Sequence, residues 1–156
     1  MKTFSGAHIG GNARKFWACD TCYFTPHDGG LKHCPRGCGG KIVSWDSKGE
    51  FKRWQELRLL EKAGKIQRLE RQARIDLTGC NGMSIIGWTG RRMRAIIDFR
   101  YYDNESACDT LEDYKPVRKG KLVMTPEANV KLAIVAAMWN GEGRRLIIQC
   151  KEWGEE

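Results

Sequence analysis

No apolar run in this chain approaches the ~20 residues that a membrane-spanning helix needs, and Met1 to His8 carry no apolar core of the signal-peptide kind. The first absence argues against a helical membrane anchor, and together they make the chain read as cytosolic. Acidic residues are in deficit: 19 Asp and Glu stand against 27 Lys and Arg, a formal net charge of +8. Such a surplus favours a polyanionic partner through steering and counterion release. No internal repeat and no low-complexity tract stands out. Disulfide-type spacing is also missing. The seven cysteines are odd in number, and four of them pair at metal spacing. Cys80, Cys108 and Cys150 stand alone and read as small apolar fillers or free thiols.

What is present falls into three stretches of a 156-residue chain, long enough for one core plus a small metal-stabilised module. Residues 1–13, rich in glycine and small polar side chains, read as a mobile tail. Residues 14–44 hold the clustered cysteines and little periodic apolar content, so they read as a module that cannot bury much surface alone. Residues 45–156 carry the regular elements. Ser47-Lys48-Gly49-Glu50 matches a capping box and Gly64 a helix stop, which predicts a helix over 47–63 with Phe51, Trp54, Leu57, Leu60 and Ala63 as its buried stripe. Strands are expected over 69–77, 83–87, 95–102 and 110–117, with a hairpin turn at Asp103-Asn104-Glu105-Ser106. Thr125-Pro126 caps a second, largely buried helix that ends at Asn140-Gly141. A short buried strand follows over 146–150. The expected fold is α/β: several antiparallel strands in a mixed sheet flanked by helices.

Cys19-Asp20-Thr21-Cys22 and, eleven residues on, Cys34-Pro35-Arg36-Gly37-Cys38 put two thiol pairs on tight turns. Four thiolates at such spacing can close a tetrahedral zinc site, which is structural because no ligand position stays open. The motif resembles a zinc ribbon with one residue more than usual in the second knuckle. His27 and His33 lie near enough in sequence to replace a cysteine. Arg14, Lys15, Phe16, Trp17, Lys32, Arg36 and Lys41 around the module suit gripping a DNA backbone and stacking on bases, with packing of the ribbon as the equal alternative for Trp17.

A second constellation lies on the predicted strands. Strand side chains alternate between faces, so Leu111, Asp113, Lys115 and Val117 share one face and Glu112 points away, as an opposite-face or solvated charge. Asp98 shares its face with Ile96. Carboxylates and an amine among apolar neighbours are costly unless paired or bound to a metal. A structural salt bridge between Asp98 and Lys115 is the plain alternative.

The stretches Asp46-Ser47-Lys48-Gly49-Glu50, Leu57 to Ile66, Ile97-Asp98-Phe99-Arg100-Tyr101-Tyr102-Asp103-Asn104, Glu112-Asp113-Tyr114-Lys115 and Thr125-Pro126 resemble the PD-(D/E)XK nuclease superfamily, in particular small phage-type members related to Holliday junction resolvases. The resemblance covers about the last two thirds of the chain. It implies a restriction-endonuclease-like fold and Mg²⁺ (or Mn²⁺) held by Glu50, Asp98 and Asp113, with Lys115 positioning or activating water. It further implies cleavage of DNA phosphodiester bonds, branched DNA as substrate, a homodimer for paired cuts, and the cytoplasm of a bacterial host. Pro116 departs from the pattern, which usually turns with glycine after the lysine. The basic stretches supply candidate DNA contacts: Arg91 and Arg92, then Arg118, Lys119 and Lys121, then Lys131 on the second helix. Two other readings remain open: a nuclease acting on linear, nicked or flap DNA, and a zinc-ribbon DNA-binding or regulatory protein that cuts nothing.

Overall fold

The computed structural model describes residues 16–26, 30–118 and 121–152, and the side chains within these except at 116–118, 121–122 and 149–152. The tail over 1–13, together with Arg14, Lys15, His27 and Lys119, lies outside the described residues. The chain divides into two compact units, Met1–Phe51 and Lys52–Glu156. That boundary falls later than the composition shift at 44/45, because an aromatic cluster draws Phe51 into the first unit. Its ring stands 5.3 Å from Phe16, 5.9 Å from Tyr23 and 5.0 Å from Trp45, each edge to face.

The first unit is a two-stranded ribbon, β1 (Phe16–Cys19) antiparallel to β2 (Ile42–Trp45), with the cysteine turns at its end. Helix α1 (Lys48–Lys62) begins in this unit. Ser47 Oγ accepts the Glu50 N–H at 3.0 Å, and the Glu50 carboxylate returns to the Asp46 N–H at 3.2 Å, a capping box whose return bond lands one residue early.

The second unit is built on a five-stranded mixed sheet. Strands β3 (Ile66–Asp76), β4 (Arg94–Asp103) and β5 (Cys108–Arg118) are antiparallel neighbours. Short β6 (Lys121–Leu122) pairs back on the end of β5, so the chain passes straight through Pro116 and does not turn there. Helix α2 (Pro126–Trp139) then leads to β7 (Arg144–Glu152), which runs parallel to β5. This parallel pairing makes the sheet mixed, as expected, because a helical crossover returns the chain in the same direction. The core gathers Ala73, Ile75, Leu77, Ala95, Ile97 and Leu111 of the sheet with Leu132 and Val135 of α2. Only these two residues of α2 are buried, and Val130 is open to solvent, so α2 is less enclosed than its apolar composition suggests.

In α1 the stripe narrows in the same way. Trp54 and Leu57 are buried, Trp54 stacking on Phe99 at 6.1 Å, while Leu60 and Ala63 are exposed. The expected strand over 83–87 is absent. Residues 77–93 instead form two successive tight turns, with isolated bridges Thr78–Ser84 and Ile86–Arg92.

Candidate functional sites: a four-thiol cluster and a strand fork

In the first unit the sulfurs of Cys19, Cys22, Cys34 and Cys38 all lie within 4.8 Å of one another. Cys19 and Cys38 sulfurs are 3.5 Å apart and those of Cys22 and Cys34 3.4 Å apart. Disulfide sulfurs sit at about 2.0 Å, and a tetrahedron with Zn–S bonds of about 2.3 Å has edges of about 3.8 Å. The cluster thus has the size of a four-thiolate metal site. Local backbone explains how it forms. The N–H groups of Thr21 and Cys22 both point at Cys19 Sγ at 3.4 Å, and the Arg36 N–H does the same for Cys34. Gly37 and Gly39 take φ of +68° and +75°, a conformation that suits residues without a Cβ. Gly40 plays a part that spacing does not reveal: a Cβ there would meet Cys19 Sγ at 2.5 Å. Burial pushes the Cys34 thiol up to about 12, the neighbouring sulfurs adding to the effect. A bound cation would reverse this, since coordinated thiols are deprotonated. His33 is exposed and bridges to Lys41, apart from the cluster. Arg36 is laid over Phe24 at 4.8 Å.

The second site lies where β4 and β5 part. Their ladder is regular from Asp103–Cys108 to Phe99–Glu112. The next pair would be Asp98 and Asp113, and there carboxylates replace ladder bonds. Asp98 Oδ2 accepts the Tyr114 N–H at 2.7 Å, and the Asp98 backbone N–H acts on the Asp113 carboxylate in return. Beyond this point β5 continues beside β7 while β4 diverges. A cavity of about 350 Å³ opens in the fork, lined by Arg94 to Ile97 on one strand, Asp113 and Lys115 on the other, and the first turns of α2.

Asp113 is buried, and its Oδ2 lies 2.5 Å from Lys115 Nζ. Burial raises its pKa above the ordinary carboxylate range, the Lys115 ammonium only partly opposing this. Asp98 is half-buried; Ile96 beside it is exposed, so this end of the β4 face is open rather than apolar core. α2 offers the cavity its N-terminus, where Thr125 Oγ1 caps the Ala128 N–H at 3.2 Å. That end of a helix favours anions.

The structure therefore brings Asp98, Asp113 and Lys115 together. Glu50, belonging to the first unit, is buried in its capping box. Among the described residues the four cysteines are the group of three or more metal-donor side chains that assemble, whereas Asp98 and Asp113 make a pair. Arg91 and Arg92 are exposed beside a groove of about 700 Å³, which Lys131 and Arg94 also line. Lys131 pairs with Glu127 at 2.6 Å. The side chains of Arg118 and Lys121 lie outside the described set.

Glu112 is a correction. It is fully buried, not solvated. Arg53 grips it with two bonds of 2.6 and 3.1 Å, and the Tyr101 hydroxyl donates a third at 2.8 Å. Desolvation and the Glu112 charge raise the Tyr101 pKa. The signal lay in Arg53 and Tyr101: a basic residue one position before the buried Trp54, and a tyrosine on the Phe99 face. No family model matches this chain, and neither curated proteins nor solved structures give a match. No described helix is long and apolar enough to cross a membrane.

Proposed function

We propose that the chain is a metal-dependent DNA endonuclease of the PD-(D/E)XK kind, with a zinc-ribbon module at its N-terminal end. One observation carries this reading: the β4–β5 ladder gives way at Asp98 and Asp113, leaving a buried carboxylate and a lysine facing a cavity. A buried carboxylate whose neighbours leave its pKa raised is a poor structural element, and its enrichment at functional sites is well founded. Hard oxygen donors suit Mg²⁺ or Mn²⁺, and Mg²⁺ is commonly held by one or two carboxylates with waters and substrate phosphate. Asp98 and Asp113 are therefore a sufficient protein contribution, and the resemblance adds Glu50 as a third.

When bound, the ion would polarise the scissile phosphate and acidify a water. The chain's own part is positioning. The Tyr114 N–H fixes the Asp98 carboxylate, and Asp113 holds Lys115 at the cavity wall. From there the ammonium stabilises charge growing on the phosphate or orients the attacking water. The α2 N-terminus adds positive potential at the same wall. The closed four-thiol cluster, with zinc, would hold the ribbon and perform no chemistry. Branched DNA as preferred substrate and a homodimer follow from the resemblance alone.

The test is cleavage of labelled four-way junction, flap, nicked and linear DNA, with and without Mg²⁺. Asp113→Ala and Lys115→Ala should each lose at least about 100-fold in cutting while still binding DNA, and Glu50→Gln should follow them. Cutting undiminished in the first two discards the catalytic assignment. Binding without cutting of any substrate leaves a non-catalytic zinc-ribbon DNA-binding protein.

A further inference from the structure

The segment 77–93 repeats one turn. Thr78-Gly79-Cys80-Asn81-Gly82-Met83 and Ile86-Gly87-Trp88-Thr89-Gly90-Arg91 share their glycine spacing. In each, the second glycine donates to the first at 2.9 Å and takes φ of +74°. In each, the first glycine donates across the turn, to Met83 O at 2.9 Å and to Arg91 O at 2.8 Å. This is a four-residue turn closed by a left-handed glycine, a stiff hairpin end. Leu77, Ile85 and Met93 bond to one another at 2.8–3.0 Å and root both turns in the core.

The two copies differ at their tips. Cys80 stands where the second turn has Trp88, so the turn itself does not require an aromatic. Yet Trp88 is as exposed as an isolated tryptophan, at 104 %. A large apolar ring held in water on a pinned turn forgoes burial that folding would reward. Next to it Arg91 and Arg92 are exposed, and neither is tied to a carboxylate among the described residues. The groove they line shares Arg94 and Lys131 with the fork cavity.

We propose that Trp88 is a stacking post for an unpaired nucleobase, with Arg91 and Arg92 holding the adjoining phosphates. This inference rests on the nucleic-acid part of the reading above and not on cleavage. Aromatic faces accept any base, and paired bases offer no free face away from a strand end. The overall charge of +8 and two guanidinium groups with no carboxylate partner among the described residues favour a polyanion over an apolar protein surface.

Fluorescence anisotropy without added divalent ion, on a labelled single strand and on its duplex, tests it. Trp88→Ala should weaken single-strand binding by about 5- to 100-fold, leave duplex binding unchanged, and leave the melting temperature as it was. Trp88→Phe should restore most of the affinity. Arg91→Ala with Arg92→Ala should weaken both substrates and flatten the salt dependence by about two charges. Unaltered single-strand affinity in Trp88→Ala overturns the proposal. So does an equal loss on duplex, or a shift from dimer to monomer in sedimentation of the free protein. A protein that shows this Trp88 dependence and never cuts keeps the stacking post and loses the nuclease. Cutting with unchanged affinity in Trp88→Ala does the reverse.

Discussion

The thiol cluster and the strand fork are both donor sets, and they are finished to different degrees. Four sulfurs, with backbone N–H groups aimed at two of them, leave no vacant direction around a tetrahedral ion. Two carboxylates beside a lysine would, on the proposed reading, leave most of an octahedron around Mg²⁺ open. The first arrangement fits a group that holds a fold, the second a group that meets a ligand. The same contrast recurs at one-residue range on β5. Glu112 is enclosed by Arg53 and Tyr101; Asp113 has Lys115 and a cavity.

The largest effect that would sharpen this contrast is expected at Glu112. Glu112→Ala strips the partly buried Arg53 guanidinium of two bonds, leaving it Glu56 at 3.0 Å, and takes the acceptor from the Tyr101 hydroxyl, a loss of about 3 kcal/mol, read as a drop in denaturant midpoint. Asp113→Asn, next to it, should cost little or stabilise, because it removes a desolvated charge. Similar losses at both positions would erase the distinction between them. In the thiol cluster, Gly40→Ala should reduce zinc affinity and destabilise the first unit by about 1–3 kcal/mol, since a methyl group would meet Cys19 Sγ. Metal analysis should give one zinc per wild-type chain, and a metal-free preparation of normal stability would break the reading of this site.

The smallest effect is a pH slope. The folded-state pKa of Asp113 lies above its unfolded value, so its contribution is fully present below the ordinary carboxylate range and is lost as pH rises through the raised value. Asp113→Asn should therefore gain on the wild type as pH climbs from about 4 towards neutrality. Added Mg²⁺ should narrow the gap at neutral pH by stabilising the wild type alone. Parallel stability curves would remove burial as the dominant influence on this carboxylate.

Much of this was legible from spacing. The thiol cluster, the start of α1, the hairpin at 103–106 and the Thr125 cap are local, and local chemistry is written in neighbouring residues. Asp98 and Asp113 could be paired on paper because one short turn joins their strands. Glu112 could not be placed, since its partner Arg53 is 59 residues away and alternation says only which way a side chain points. Ile96 counts in the sequence as an apolar neighbour on the Asp98 face, yet the ladder parts beside it and leaves it exposed. The repeated turn over 77–93 is faint in the sequence because its two copies share only glycines, and their likeness lies in backbone conformation. The parallel placement of β7 depends on where α2 delivers the chain, which no single residue encodes.

The Glu112 network has a practical consequence for mutagenesis. An alanine scan of the acidic residues scored by DNA cutting alone would count Glu112 beside Asp98 and Asp113 and report a triad of acids. Only a melting curve run in parallel would separate the residue whose loss empties the cavity wall from the one whose loss undoes the anchorage of α1 to the central strand.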